Sequence, residues 1–114
     1  MSTDMDMSMN MNIDLGNYTA ENVAAAWGIL KAKRPLILHV TNAVAAALQA
    51  NICLAVGASP LMSQYPEETA ELIDIAQGFL VNLGTPTEAA LAAVTRGMNA
   101  ANAKGRFTLL DPVG

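Results

Sequence analysis

The first regular pattern of apolar positions begins at Thr19, after a stretch without periodicity. Val23, Trp27 and Leu30 recur at the spacing of one helix face, which predicts an amphipathic helix ending near Lys33. A proline two residues later is consistent with that end, because proline cannot continue a helix.

Short and nearly continuous apolar runs follow, and they predict strands that are buried on both faces. These runs cover residues 36–40, 79–83 and 107–110, with a further extended piece over residues 58–62.

Helices are predicted between the strands, over residues 43–56, 66–77 and from residue 85 to just before residue 105. Gly57 suits the left-handed position at a helix end. Pro66 suits a first helical turn, and the two glutamates after it favour the positive end of the helix dipole. Thr85 begins a capping-box pattern with Pro86 at the first helical position.

The alternation of strands and helices predicts an α/β layered domain with a mainly parallel sheet flanked by helices. In open sheets of this kind, ligands bind beyond the carboxyl ends of the strands. Small, polar and acidic residues follow the predicted strands at this edge: Thr41, Asn42, Met62, Ser63, Gly84, Thr85 and Asp111. The sequence therefore predicts a small-molecule pocket there.

The amino-acid composition argues against several classes of function. The 114 residues are 53% apolar and 14% charged, which suits one compact domain with a buried core. Aromatic residues are scarce, the net charge is −4, and basic residues cluster only at Lys31, Lys33 and Arg34. These features argue against nucleic acid and against an anionic membrane as partners. No apolar run is long enough to span a membrane, and no secretory signal is recognisable.

Residues 1–16 form a biased segment in which Met5, Met7, Met9 and Met11 alternate with polar residues. We expect a disordered methionine-rich tail, which leaves residues 17–114 as the folded domain. A thioether site for a soft metal such as Cu(I) is the alternative interpretation.

The sequence motifs of several well-known kinds of binding site are absent. Neither the dinucleotide pattern G-x-G-x-x-G nor the P-loop pattern occurs, and one histidine with one cysteine cannot form a zinc cluster. Cys53 is expected to be a small buried residue of a helix, rather than a nucleophile, in a chain of the reducing cytoplasm. His39 is expected to be a hydrogen-bonded histidine of the core or sheet edge, rather than a catalytic one.

Four segments, in this order and at these separations, resemble hydroxyethylthiazole kinases of the ribokinase-like superfamily. They are RPLILHVTN (34–42), LAVGASPLM (54–62), VNLGT (81–85) and LDPVG (110–114). The resemblance extends from about Thr19 to the end of the chain. It implies the amino-terminal part of a ribokinase-like kinase domain.

The resemblance also implies a function. Members of this family transfer the γ-phosphate of ATP, with Mg²⁺, to the hydroxyl of methyl-hydroxyethylthiazole in thiamine biosynthesis, and they are homotrimers with sites at subunit interfaces. By motif, Asn42 and Met62 correspond to thiazole-pocket residues, Met62 through its main chain. Asp111 corresponds to an acid near the phosphates and Mg²⁺, and its alternative interpretation is a turn residue before Pro112.

The family pattern continues beyond Gly114, where its catalytic group and most of its ATP site lie. We therefore expect these 114 residues to be a fragment or a truncated product that is inactive by itself. Two other functions stay open: a non-catalytic α/β interaction module derived from the fold, and a kinase of a related vitamin alcohol. Asn42 and the segment GASPLM favour the thiazole kinase over the second of these.

Overall fold

The computed structural model describes residues 18–113, in which helices and strands alternate. The elements are α1 (Ala20–Lys33), β1 (Leu36–Val40), α2 (Ala46–Val56), β2 (Ser59–Met62), α3 (Pro66–Ile75), β3 (Gly78–Asn82), α4 (Glu88–Lys104) and β4 (Phe107–Asp111). The methionine-rich segment 1–16 lies outside the described residues. No helix in the described range is both long and apolar enough to cross a bilayer.

The strands form one sheet in the order β2-β1-β3-β4, and every pair is parallel. This confirms the predicted α/β class. The chain moves from β1 outward to β2, then crosses back to β3 on the other side of β1. The strand order thus reverses between β1 and β3, and the crevice beyond their carboxyl ends is where such sheets bind ligands.

The core lies between the sheet and the helices α3 and α4. Leu38 of β1 and Phe79 and Val81 of β3 are buried there against Ile73 and Ala93. The continuous apolar strands explain this arrangement, because a parallel sheet carries helices on its faces.

The opposite face of the sheet carries α2, whose Gln49 lies beside His39 of β1. Helix α1 packs outside α2: the indole N–H of Trp27 donates to the carbonyl of Val56 at 2.8 Å. The amphipathic prediction for α1 was only partly right, because no residue of this helix is buried within the described structure. Its apolar side lies on α2 rather than in the core.

Two helix starts differ from the sequence prediction. Helix α2 begins at Ala46 rather than residue 43, because the side chain of Asn42 accepts from Ala45 N–H and holds a turn first. Helix α4 begins after Thr87, whose hydroxyl accepts from Ala90 N–H at 3.0 Å. Thr85 has φ of 40° and therefore lies outside the helix that it was predicted to cap.

Candidate functional site

Asn42 ties the end of β1 to the loop after β3. Its side-chain oxygen accepts from Ala45 N–H at 2.9 Å, and its side-chain NH₂ donates to the carbonyl of Gly84 at 3.0 Å. The residue thus starts the connection to α2 and fixes the neighbouring loop. Both polar ends of the amide are therefore engaged within the chain.

A second set of hydrogen bonds closes the same loop. The side-chain oxygen of Asn82 accepts from Gly84 N–H at 2.9 Å, and its NH₂ donates to the Thr41 hydroxyl at 3.1 Å. A side chain on Gly84 would begin within 3.1 Å of the Asn42 amide nitrogen. A larger residue here would require the two asparagine side chains to shift by a few tenths of an ångström.

A cavity of about 430 Å³ opens at this edge, next to the ends of β1 and β2. This volume is in the range of small-ligand sites. The cavity is lined by His39, Thr41, Asn42, Ala43, Ala46, Met62, Ser63, Gln64, Tyr65 and Ala89. The structure therefore brings Asn42 and Met62 to one cavity, as parallel strands with aligned ends require.

Asp111 ends β4 on the same edge. It pairs in register with Asn82, and its main-chain carbonyl accepts from Leu83 N–H at 3.0 Å. One carboxylate oxygen accepts from Val113 N–H at 2.9 Å, and the side chain is exposed. Asp111 does not line the cavity, since β4 lies two strand spacings from β1, roughly 10 Å.

The family comparison decides the identity of this fold. The model of the hydroxyethylthiazole kinase family matches residues 28–114, which contain every strand of the sheet and both cavity segments. The chain belongs to the hydroxyethylthiazole kinase family.

Individual relatives agree with the family match. The chain is 38% identical to hydroxyethylthiazole kinase 1 of Methanosphaera stadtmanae over 100 residues, covering 88% of this chain and 35% of the relative. It is 46% identical to the hydroxyethylthiazole kinase of Archaeoglobus fulgidus over 81 residues, covering 71% of this chain and 30% of the relative. The chain thus spans about a third of the length of these kinases.

A solved structure gives the same result for the fold. The hydroxyethylthiazole kinase protein of Pyrococcus horikoshii superimposes with a TM-score of 0.75 at 35% identity, covering 77% of this chain and 35% of that chain. The resemblance seen in the four sequence segments is therefore confirmed.

His39 is the residue of this family member that sequence reasoning placed least well. It is buried, as expected, but it lines the cavity and only one ring nitrogen has a partner within the described residues. Burial lowers its pKa below the ordinary histidine value, and the Gln49 side chain opposes this shift. Burial therefore favours the neutral form of the ring.

Of the three cavity residues directly after Met62, Ser63 was predicted at this edge, whereas Gln64 and Tyr65 were missed. The NH₂ of Gln64 donates to the carbonyl of Thr41, and the hydroxyl of Ser63 donates to a Glu68 oxygen at 2.5 Å. Tyr65 lines the wall beside them. Their position just past a strand end was the available signal, but sequence could not show that this loop folds back over β1.

Cys53 behaves as the sequence predicts. It is a buried residue of α2, and burial raises the pKa of its thiol. A thiol that ionises less readily is a poorer nucleophile at neutral pH.

A second cavity, also of about 430 Å³, lies at the opposite edge, beside the start of β4. Arg106 in its wall already donates to the carbonyls of Ile73 and Asp74. The Arg106 guanidinium is therefore already bound to the carboxyl end of α3 and is not free for a ligand. The cavity that Asn42 and Met62 line is the better candidate for a ligand site.

Proposed function

We propose that the intact protein is a hydroxyethylthiazole kinase, which transfers the γ-phosphoryl group of ATP to the hydroxyl of methyl-hydroxyethylthiazole in thiamine biosynthesis. The observation that carries this proposal is the cavity at the carboxyl edge, where two family-matched segments supply Asn42 and Met62. Relatives that match most of this chain bear the name of that kinase.

The thiazole would lie in this cavity. Met62 ends β2 and offers main-chain groups that no strand partner covers on its outer side, because β2 is an edge strand in the described sheet. Asn42 shapes the wall rather than offering a free amide, since both of its polar ends are engaged. Alanines 43, 46 and 89 leave room for a flat heterocycle.

Mg²⁺ fits the chemistry of Asp111. This exposed carboxylate keeps one oxygen without a hydrogen bond to Val113, and carboxylate oxygens suit a hard cation. Among residues 18–113, no three His, Cys, Asp or Glu side chains are grouped so that they could hold a metal ion by themselves. A single carboxylate is sufficient in this reaction class, because Mg²⁺ is usually held by one or two carboxylates together with substrate phosphates.

The assembly and location follow from the same proposal. Association between subunits is supported by the exposed Val44, just before α2, and Leu48 of α2, and the family resemblance implies that the assembly is a homotrimer with sites at subunit interfaces. A cytoplasmic location is the default that accompanies this proposal, because the single cysteine, Cys53, is free and does not mark another compartment.

The test is an assay of ATP- and Mg²⁺-dependent phosphorylation of methyl-hydroxyethylthiazole by the intact protein. Asp111→Asn should lower kcat by at least about tenfold, because asparagine keeps the oxygen that accepts from Val113 but removes the charge. Asp74→Asn, which removes an exposed carboxylate paired with Lys104, is the matched control and should leave kcat unchanged.

The other functions predict different outcomes. A related vitamin-alcohol kinase would phosphorylate an alcohol such as pyridoxine and not the thiazole. A non-catalytic interaction module would turn over neither. Equal kcat values for Asp111→Asn and the unchanged protein would remove Asp111 from the metal site.

A further inference from the structure

The second ring nitrogen of His39 has no hydrogen-bond partner among the described residues. The side chain is only 3% exposed and lies on the central strand β1, paired in register with Met62 on one side and Leu80 on the other. An unpaired polar atom in such a place destabilises the folded chain, because it has lost its water without gaining a partner. A buried group of this kind requires an explanation, and a ligand of the cavity is one.

The other ring nitrogen decides which kind of partner is missing. Nδ1 lies 3.4 Å from the side-chain oxygen of Gln49, and because that oxygen can only accept, this contact is a hydrogen bond in the tautomer that carries the proton on Nδ1. In the neutral ring Nε2 then has a lone pair and can only accept. The missing partner is therefore a hydrogen-bond donor.

The residues around His39 favour the neutral form of its ring, because none of the elements packed against it carries a charge. The elements α2, β2 and β3 around His39 carry no charged side chain, and their only titratable group is Cys53. On the cavity wall the titratable group is Tyr65, and Glu68 lies behind Ser63, from which it accepts. Burial without an ionised partner lowers the pKa of His39.

We propose that His39 is a substrate-positioning residue, whose Nε2 accepts a hydrogen bond from the hydroxyl of the alcohol in the cavity. This inference rests on the proposed function. The hydroxyl is the only donor on methyl-hydroxyethylthiazole, because its ring nitrogen and sulfur have no hydrogen. Nε2 is buried in this structure while His39 lines the cavity, so the proposal includes a small rotation of the ring that brings Nε2 to the cavity surface.

The proposal also gives the site a preference for substrate over product. Phosphorylation replaces the hydroxyl proton by a phosphoryl group, and a phosphate monoester dianion has no donor to offer. The Nε2 lone pair would then face an oxygen lone pair, so His39 favours binding of the alcohol and release of its phosphate.

The test is calorimetry on the intact protein with two ligands, methyl-hydroxyethylthiazole and 5-ethyl-4-methylthiazole, which has the same ring without the hydroxyl. The unchanged protein should bind the alcohol about tenfold more tightly. His39→Ala should abolish this difference by weakening the alcohol alone, and His39→Gln, which keeps an acceptor oxygen, should restore part of it.

Two further readouts separate positioning from cavity shape. The ¹⁵N signal of Nε2 in the unchanged protein should shift on adding the alcohol and stay in place with the ethyl compound. The preference for the alcohol should fall as the pH is lowered through the pKa of His39, because a protonated Nε2 can no longer accept.

The outcomes are distinct. Equal loss of affinity for both ligands in His39→Ala and His39→Gln, or an unmoved Nε2 signal, would overturn the role of His39 while leaving the kinase proposal intact. Absence of binding of either ligand to the unchanged protein, together with absent turnover, would overturn both. If His39→Ala does not fold, the Nε2 signal of the unchanged protein still decides.

Discussion

Asn42 shows how one side chain can serve the fold and the site together. Its oxygen replaces a missing backbone partner at the start of α2, and its NH₂ holds the loop after β3. Asparagine supplies an acceptor and a donor in one rigid group, so neither Asp nor Ser could make both bonds in the same way. The ligand role predicted for Asn42 stays a prediction.

Asn42→Ala should lower the free energy of unfolding by about 1–2 kcal/mol, because the part-buried Gly84 carbonyl and the Ala45 N–H both lose their partner. It should also weaken thiazole binding by allowing the loop to move. Urea denaturation and calorimetry on the intact protein measure these two effects.

The matched control is Asn51→Ala, at an exposed position of α2, which should change stability by less than about 0.5 kcal/mol. Unchanged thiazole affinity in a destabilised Asn42→Ala protein would show that Asn42 acts on the fold alone.

At the scale of elements, the contact between α4 and β3 decides how closely the helix can approach the sheet. Gly97 faces the ring of Phe79, where a side chain would begin 2.7 Å from Cε2 and 3.0 Å from a methyl group of Thr69. Glycine weakens a helix interior, so its presence here is explained by close packing rather than by helix formation.

Gly97→Ala should therefore lower the free energy of unfolding by about 1–3 kcal/mol, since the added methyl group must displace Phe79 or the helix. Gly28→Ala is the control within α1, where a side chain would meet nothing within 4 Å. That substitution should be neutral or stabilising by up to about 1 kcal/mol. Thermal unfolding of the two variants compares the effects, and equal midpoints would show that α4 does not pack on Phe79 as described.

At the scale of the whole molecule, the face of the sheet that carries α2 over β1 stays open beside β4. Phe107 and Leu109 of β4 are 72% and 54% exposed, and they lie on the same face as Leu80 and His39. Leu48 and Ile52 of α2 are exposed as well. An apolar surface of this extent beside an edge strand is a typical site of association.

A preparation limited to residues 1–114 should accordingly self-associate and show no thiazole kinase turnover. Leu109→Lys should reduce its association by placing a charge on the open face. Light scattering measures the particle size, and an ATP-dependent phosphorylation assay measures turnover. Catalytic turnover by a monodisperse preparation would contradict the prediction.

Thr95→Lys is the matched control for the charge, because Thr95 is an exposed residue of α4 on the other side of the sheet. It should leave association unchanged. Equal effects of the two lysines would mean that net charge, rather than the apolar face of β4, governs solubility.

The sequence by itself determined the fold class and the edge of the sheet at which the cavity lies. Continuous apolar runs at 36–40 and 79–83 can only be satisfied by burial on both faces, and the helices between them make the strands parallel. Since parallel strands end at one edge, the polar residues after them had to lie close together. Asn42 and Met62 meet there for that reason.

Only the tertiary structure decided what depends on contacts between distant segments. Thr85 matched a local capping pattern, but the loop that Asn42 and Asn82 hold requires a backbone outside the helix, so Thr87 became the cap. His39 matched a strand pattern equally well with or without partners for its ring. Its unpaired nitrogen follows from how α2 and the loop after β2 fold over β1, because local sequence specifies local geometry, whereas hydrogen-bond satisfaction is a property of the packed chain.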